Sequence, residues 1–114
     1  MTVCGGSGVV SMGQLKEIGQ RIARAFDPER IVLFGSHARG DATETSDVDL
    51  LVVARTTNPK PKRSVPLYSL LRDYPFSKDI LVYTPEEVEE YRHLRASLIH
   101  QALEEGIVLY EKQA

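Results

Sequence analysis

Cysteine is almost missing: Cys4 is the only one in 114 residues. One thiol forms no internal disulfide, so the sequence points to a reducing compartment and a core that holds without covalent bridges. A tolerated free thiol near the start explains Cys4 better than catalysis does. Long apolar runs are missing too. None approaches the roughly 18 residues of a membrane-spanning helix. Residues 1–13 lack the charged start and apolar middle of a secretory signal, and the expected location is the cytoplasm. Nor is charge of one sign in excess: 14 Lys and Arg face 16 Asp and Glu, a net charge of −2. That disfavours general adhesion to nucleic acid or to an anionic membrane, while still allowing a local basic pocket.

What remains is ordinary for a globular domain, with 42% apolar and 26% charged residues. The length fits one domain, expected over 1–114, and suffices for a real core. Residues 1–10 are Gly-rich and read as a flexible start. Gly5-Gly6-Ser7-Gly8 lacks the following Lys-Ser/Thr of a phosphate loop and the spacing of a dinucleotide fingerprint.

Ser11 and Gln14 have capping-box spacing. Leu15, Ile18, Ile22 and Phe26 then form one helical stripe, which Asp27-Pro28 ends. Ile31 to Phe34 and Val48 to Ala54 read as buried strands separated by a polar stretch. Residues 55–63, with two prolines and Lys60, Lys62 and Arg63, read as an exposed, solvated loop. Val65 to Leu71 predicts a short helix, Tyr74-Pro75 a turn, and Asp79 to Tyr83 a third strand. Thr84-Pro85-Glu86-Glu87 is a strong helix start. That helix is expected to run through Val88, Tyr91, Leu94, Leu98 and Ala102 to Gly106, with a break near His93. Ile107 to Tyr110 reads as an edge strand. The order predicts an α/β (α+β) domain, a small mixed sheet flanked by helices.

Three features fall at strand ends, where ligand sites of α/β sheets collect. Gly35-Ser36 follows the first strand. Glycine lets the backbone turn sharply, and Ser36 can open a short helix whose N–H groups suit phosphate oxygens. Arg39, three residues on, can return to the same point and hold a phosphate through two hydrogen bonds. Asp47-Val48-Asp49 opens the second strand. Alternate side chains share a face, so both carboxylates point one way, with Cα atoms about 7 Å apart. Carboxylates with substrate phosphates are what Mg²⁺ takes. Two such ions about 3.5–4 Å apart can steady the attacking and leaving oxygens of a displacement. Asp79 heads the third strand. If that strand lies beside the second, Asp79 faces the same metals, as ligand and as base for the attacking hydroxyl. Asp73 competes for this role from a turn.

Gly35-Ser36, ten residues, then Asp47-Val48-Asp49 resembles the signature of the DNA polymerase β-like nucleotidyltransferases. GSHARG and SDVDLLVV resemble its minimal nucleotidyltransferase branch, over roughly residues 14–110. The resemblance implies a polymerase β palm-like fold. It implies that Gly35, Ser36 and Arg39 bind the triphosphate, and that Asp47, Asp49 and Asp79 bind two Mg²⁺. ATP or another NTP would give its NMP to a hydroxyl, with pyrophosphate leaving. Proteins of this branch are often antitoxins paired with an all-helical HEPN toxin, whose tyrosine takes AMP. The same role is expected here, with a homo-oligomer possible.

Plainer readings stand beside these. Ser46-Asp47 can simply start a strand, and Arg39 can be a solvated charge. His37, His93 and His100 show no zinc spacing; His37 lies in the loop, and the sequence assigns it no role. Arg95 and His100 match the Arg-x4-His pattern of HEPN ribonucleases, but an α/β chain is no all-helical bundle. Lys60, Lys62 and Arg63 have no interleaved aromatics in sequence, so nucleic-acid binding is not expected of them. Glu86, Glu87, Glu89 and Glu90 suit a helix start on electrostatic grounds alone. Two rival functions remain: a module that neutralises a partner by contact alone, and nucleotidyl transfer to a small molecule.

Overall fold

The computed structural model describes residues 10–112. The readings of Cys4 and of the glycines before Val10 lie outside the described residues. Helix α1 spans Met12–Phe26. Ser11 caps it: its hydroxyl accepts the Gln14 N–H at 3.2 Å, and Gln14 Oε1 accepts the Ser11 N–H at 3.2 Å. The stripe Leu15, Ile18 and Ile22 is buried. Phe26, expected on that stripe, is exposed at 37%. The helix ends there, as Asp27 turns the chain into the left-handed region at φ 48°.

Four strands follow: β1 Arg30–Phe34, β2 Val48–Val53, β3 Lys78–Tyr83 and β4 Ile107–Glu111. Their order across the sheet is β3-β2-β1-β4. β1 runs antiparallel to both β2 and β4, while β2 and β3 are parallel. The fold is therefore a mixed sheet with helices, an α+β domain. The apolar edge strand expected at Ile107 is β4.

The connection from β2 to the parallel β3 carries α2's successors. Short helices α3, Lys60–Arg63, and α4, Val65–Leu70, lie there, after α2, Ser36–Arg39. The stretch expected to be an exposed loop is exposed at most of its residues, but its last four are helical and Arg63 is packed. Arg63 keeps only 10% of its side chain exposed, and its Nη1 donates to Glu87 Oε1 at 2.6 Å. Lys60 Nζ lies 4.9 and 5.1 Å from the ring centres of Tyr83 and Tyr91. Those aromatics are remote in sequence, which is why the loop looked solvated.

The alternation of β-strand side chains splits the core into two layers. On one face Leu33, Val48, Leu50 and Ile80 pack with Ile18 and Ile22 of α1 and Leu67 of α4. On the other, Phe34, Leu51 and Val53 pack with Val88, Ile99 and Ala102. Leu50 is fully buried. Burial of one such leucine contributes about 2 kcal/mol, and its truncation to alanine costs about 2–5 kcal/mol.

The helix after β3 breaks where expected. Helix α5 spans Pro85–Tyr91 and α6 spans Leu98–Glu105. Thr84 starts α5 with its capping box intact, its hydroxyl accepting the Glu87 N–H at 3.2 Å. Ser97 restarts the helix: its hydroxyl accepts the His100 N–H at 3.0 Å and donates to the Tyr91 carbonyl at 2.8 Å. Leu94, expected on a continuous stripe, falls in the break and is 54% exposed. Among the described residues no helix is long and apolar enough to cross a membrane.

Candidate active site

β1 delivers its last residue, Phe34, opposite Asp49 of the antiparallel β2. β2 and β3 run parallel and in register, so Asp49 lies opposite Asp79. One pairing pattern therefore brings together the carboxyl end of β1 and the amino ends of β2 and β3. The carboxyl-end rule for parallel sheets does not describe this site, because β1 and β2 are antiparallel. Alternation puts Asp49 on the face of Leu51 and Val53. It occupies the rung where that apolar face runs out.

Gly35 turns the chain there at φ +77°, a conformation that disfavours any side chain. A Cβ at this position would sit 2.2 Å from Asp49 Oδ2. The glycine is needed for both reasons, backbone shape and close approach to the carboxylate. Helix α2 begins directly after it. The N–H groups of Ala38 and Arg39 donate to the Gly35 carbonyl, both at 3.1 Å. The N–H groups of Ser36 and His37, at the first turn, lie ahead of any intrahelical acceptor and are the ones suited to an anion.

Gly35, Ser36, Arg39, Asp49 and Asp79 line one cleft of about 330 Å³. Asp47 precedes β2 and is exposed; it is not among the residues lining the cleft. Its charge still reaches Asp49. Burial raises the Asp49 carboxyl above its usual range, and the charges of Asp79 and then Asp47 push it further, against smaller opposite effects of His37 and Arg39. Asp73 is elsewhere, with both its oxygens 3.1 Å from Arg21 Nη1. His37 Nε2 lies 3.5 Å from the Ser46 carbonyl, a contact within the loop. His100 Nδ1 lies 2.8 Å from the Arg92 carbonyl, which ties it to the helix break.

Arg39 is held by two carboxylates. Nη1 donates to Glu105 Oε1 at 3.0 Å and Nε to Asp41 Oδ2 at 3.4 Å. The Asp41 hydrogen bond and then that of Glu105 raise the guanidinium above its ordinary value.

A divalent cation suits this donor chemistry. Asp49 and Asp79 face each other in register, and burial first, then the charges of Asp79 and Asp47, makes Asp49 hold its proton more tightly. Among the described residues no three His, Cys, Asp or Glu side chains stand close enough to enclose an ion together. Asp49 and Asp79 are the pair in register, and Asp47, exposed just ahead of β2, acts on Asp49 through its charge.

The cleft has a second wall that the sequence did not announce: Phe34, Leu81, and Leu98 and Gln101 of α6. No motif marks them, and α6 reaches the cleft only because the helix breaks and turns back over β1. A larger hollow, about 550 Å³, lies at the opposite end of β2 beside Arg30, Val53, Val88 and Arg92. Glu29, Glu89 and Glu111 also line it, but beside Arg30, Arg92 and Lys112 and with no glycine at a tight turn, so its carboxylates have cations for neighbours and size does not mark the chemistry here.

The geometry agrees with what comparison finds. Two Methanocaldococcus jannaschii proteins are similar in sequence. One, named "Putative protein adenylyltransferase MJ1305", is 46% identical over 61 residues, which cover 52% of this chain and 40% of that protein. The other, MJ0141, carries the same descriptive name and is 39% identical over 54 residues, covering 47% of this chain and 54% of the relative. The chain thus matches about half the length of these relatives. A structure of a "putative nucleotidyltransferase" from Sulfolobus solfataricus has a TM-score of 0.61 at 24% identity, covering 93% of this chain and 85% of that one. A toxin-antitoxin structure with AMP-PNP has a TM-score of 0.60 at 23% identity, covering 86% and 74%. At such identities the likeness is one of fold. The model of the family "Polymerase beta, Nucleotidyltransferase" matches residues 16–114. With that match over nearly the whole length, the chain belongs to the polymerase β nucleotidyltransferase family.

Proposed function

We propose that this chain, acting as a single domain, is a Mg²⁺-dependent nucleotidyltransferase that moves NMP from an NTP, with AMP from ATP preferred, to a hydroxyl of a partner protein. The observation that carries the reading is the in-register pair Asp49 and Asp79 beside Gly35, with Asp49 raised by burial and then by its like-charged neighbours. In this reading Asp47, Asp49 and Asp79 hold two Mg²⁺. Bound there, the ions would supply charge neutralisation for a displacement at phosphorus. The Ser36 and His37 amides and the Arg39 guanidinium orient the triphosphate, and Arg39 exchanges a carboxylate for a phosphate. Asp79, the more exposed of the in-register pair, takes the proton of the attacking hydroxyl. The new P–O bond forms as the bond to pyrophosphate breaks.

The acceptor we favour is a tyrosine of a HEPN-type toxin, which makes the chain an antitoxin that works in the cytoplasm. Two features support this: the family resemblance in GSHARG and SDVDLLVV, and the fold shared with a toxin-antitoxin structure solved with AMP-PNP. A second reading, neutralisation by contact alone, is favoured by one feature, the engagement of Arg39 by Asp41 and Glu105.

Label transfer decides between them. The protein is incubated with Mg²⁺ and each α-labelled NTP in lysate of the source organism, beside Asp47→Asn/Asp49→Asn. A labelled band lost in the variant supports transfer and identifies nucleotide and acceptor. No label, with a partner that still co-purifies, supports contact alone.

A further inference from the structure

The cleft is lined by residues of two chemical kinds. Gly35, Ser36, Arg39, Asp49 and Asp79 form the turn and the charged groups; Phe34, Leu81, Leu98 and Gln101 are neutral. Small-molecule sites commonly pair an apolar wall with one or two placed polar groups. Here Leu98 keeps 53% of its surface exposed, unusual for a leucine at a cleft. Gln101 is the single polar side chain among the neutral lining residues.

Its amide is oriented. Gln101 Nε2 donates to Glu105 Oε1 at 3.3 Å, and the same oxygen accepts from Arg39 Nη1 at 3.0 Å. A carboxylate only accepts, so the amide must turn its NH₂ toward Glu105. One N–H is then engaged, while the carbonyl oxygen and the second N–H stay available as an adjacent acceptor and donor. Adenine presents the complement on one edge, the N6 amino donor beside the N7 acceptor; guanine presents two acceptors there, N7 and O6. A glutamine fixed this way matches adenine and meets guanine with its oxygen facing a lone pair.

We propose that Gln101 reads the nucleotide base and selects adenine, with Leu98 as the apolar platform and Glu105 as the positioning residue that sets the amide. This rests on the nucleotidyltransferase reading above and deepens it. One carboxylate oxygen also ties the base-reading side chain to Arg39, so Glu105 of α6 orients both.

The test is titration calorimetry of the full chain with ATP and with GTP, both with Mg²⁺. The wild type is expected to favour ATP by about tenfold, the low end for one bidentate contact to a base. In Gln101→Ala the ratio should fall to near one through weaker ATP binding, with GTP affinity hardly changed. Glu105→Ala should lose the ratio as well, whereas Glu105→Gln, whose carbonyl still accepts the amide N–H, should keep most of it. A role in folding alone would weaken both nucleotides equally, so the ratio is the informative reading; Gln101 is exposed, and melting curves check that the variants fold. An unchanged ratio in Gln101→Ala, or no preference in the wild type, overturns this inference and leaves the nucleotidyltransferase reading standing. Absence of binding by either nucleotide to the wild type overturns both.

Discussion

The two ends of β2 and β3 treat carboxylates in opposite ways. At the far end, Glu87 receives Arg63 Nη1 at 2.6 Å and its oxygen also accepts the Thr84 N–H at 2.9 Å. The Arg63 hydrogen bond leads in pulling this carboxyl down to about 2. At the near end, Asp49 faces Asp79 across the ladder, and burial together with like charge pushes its carboxyl up. The same strands thus end in a matched cluster on one side and an unmatched one on the other. Matched charge serves stability. Unmatched charge costs stability in the free protein and is retained where a cation is to be received.

The largest test of that contrast removes one unmatched carboxylate. Asp49→Asn is expected to lower label transfer at least about 100-fold, the scale on which a group stabilising transition-state charge acts; the assay is the one above, read as initial rate. Next comes the geometry that brings the backbone against this carboxylate. Gly35→Ala forces a Cβ to within 2.2 Å of Asp49 Oδ2 at φ +77°. We expect it to cost about 1–3 kcal/mol in urea melts and to lower transfer as well.

The matched end should respond to pH in the opposite sense from the near end. Glu87 is depressed from 4.5 to about 2, so its contribution is fully present above the ordinary carboxylate range and is lost as pH falls through 4.5 toward 2. Solvent screening keeps it to about 1 kcal/mol. Glu87→Gln should remove that much at neutral pH and flatten the acid limb of the stability profile. The smallest effect belongs to folding at the near end. Asp49 is raised, so its ionised form opposes folding as pH rises through its value. Without divalent ions, Asp49→Asn should therefore melt higher than wild type by about 0.5 kcal/mol. Added Mg²⁺ should raise the wild-type melting temperature and leave the variant's nearly unchanged.

Local rules carried much of the fold. Ser11 with Gln14, and Thr84 with Glu87, announced helix starts because a cap is a matter of three residues' chemistry. Asp27-Pro28 stopped α1, and wholly apolar runs marked β1 and β2. The helix break was legible near His93, although its extent was not. Ser97 restarts the chain as a new cap, and an isolated serine gives little warning. The 55–63 stretch is largely exposed, as its composition says, but the partners of Lys60 and Arg63 were not legible, because they find Tyr83, Tyr91 and Glu87 only after the β2–β3 crossover closes. Local polarity reads as exposure when its partners are twenty or more residues away.

For this protein the sequence by itself determined the order of the main elements. Gly35-Ser36 and Asp47-Val48-Asp49 stand close in sequence, at the facing ends of two strands that pair antiparallel. Only tertiary structure decided two other matters: that Asp79 rather than Asp73 faces Asp49, and that α6 closes the cleft with Leu98 and Gln101. Each depends on strand register and helix docking. These are set by burial summed over many distant side chains, a quantity no short window of sequence contains.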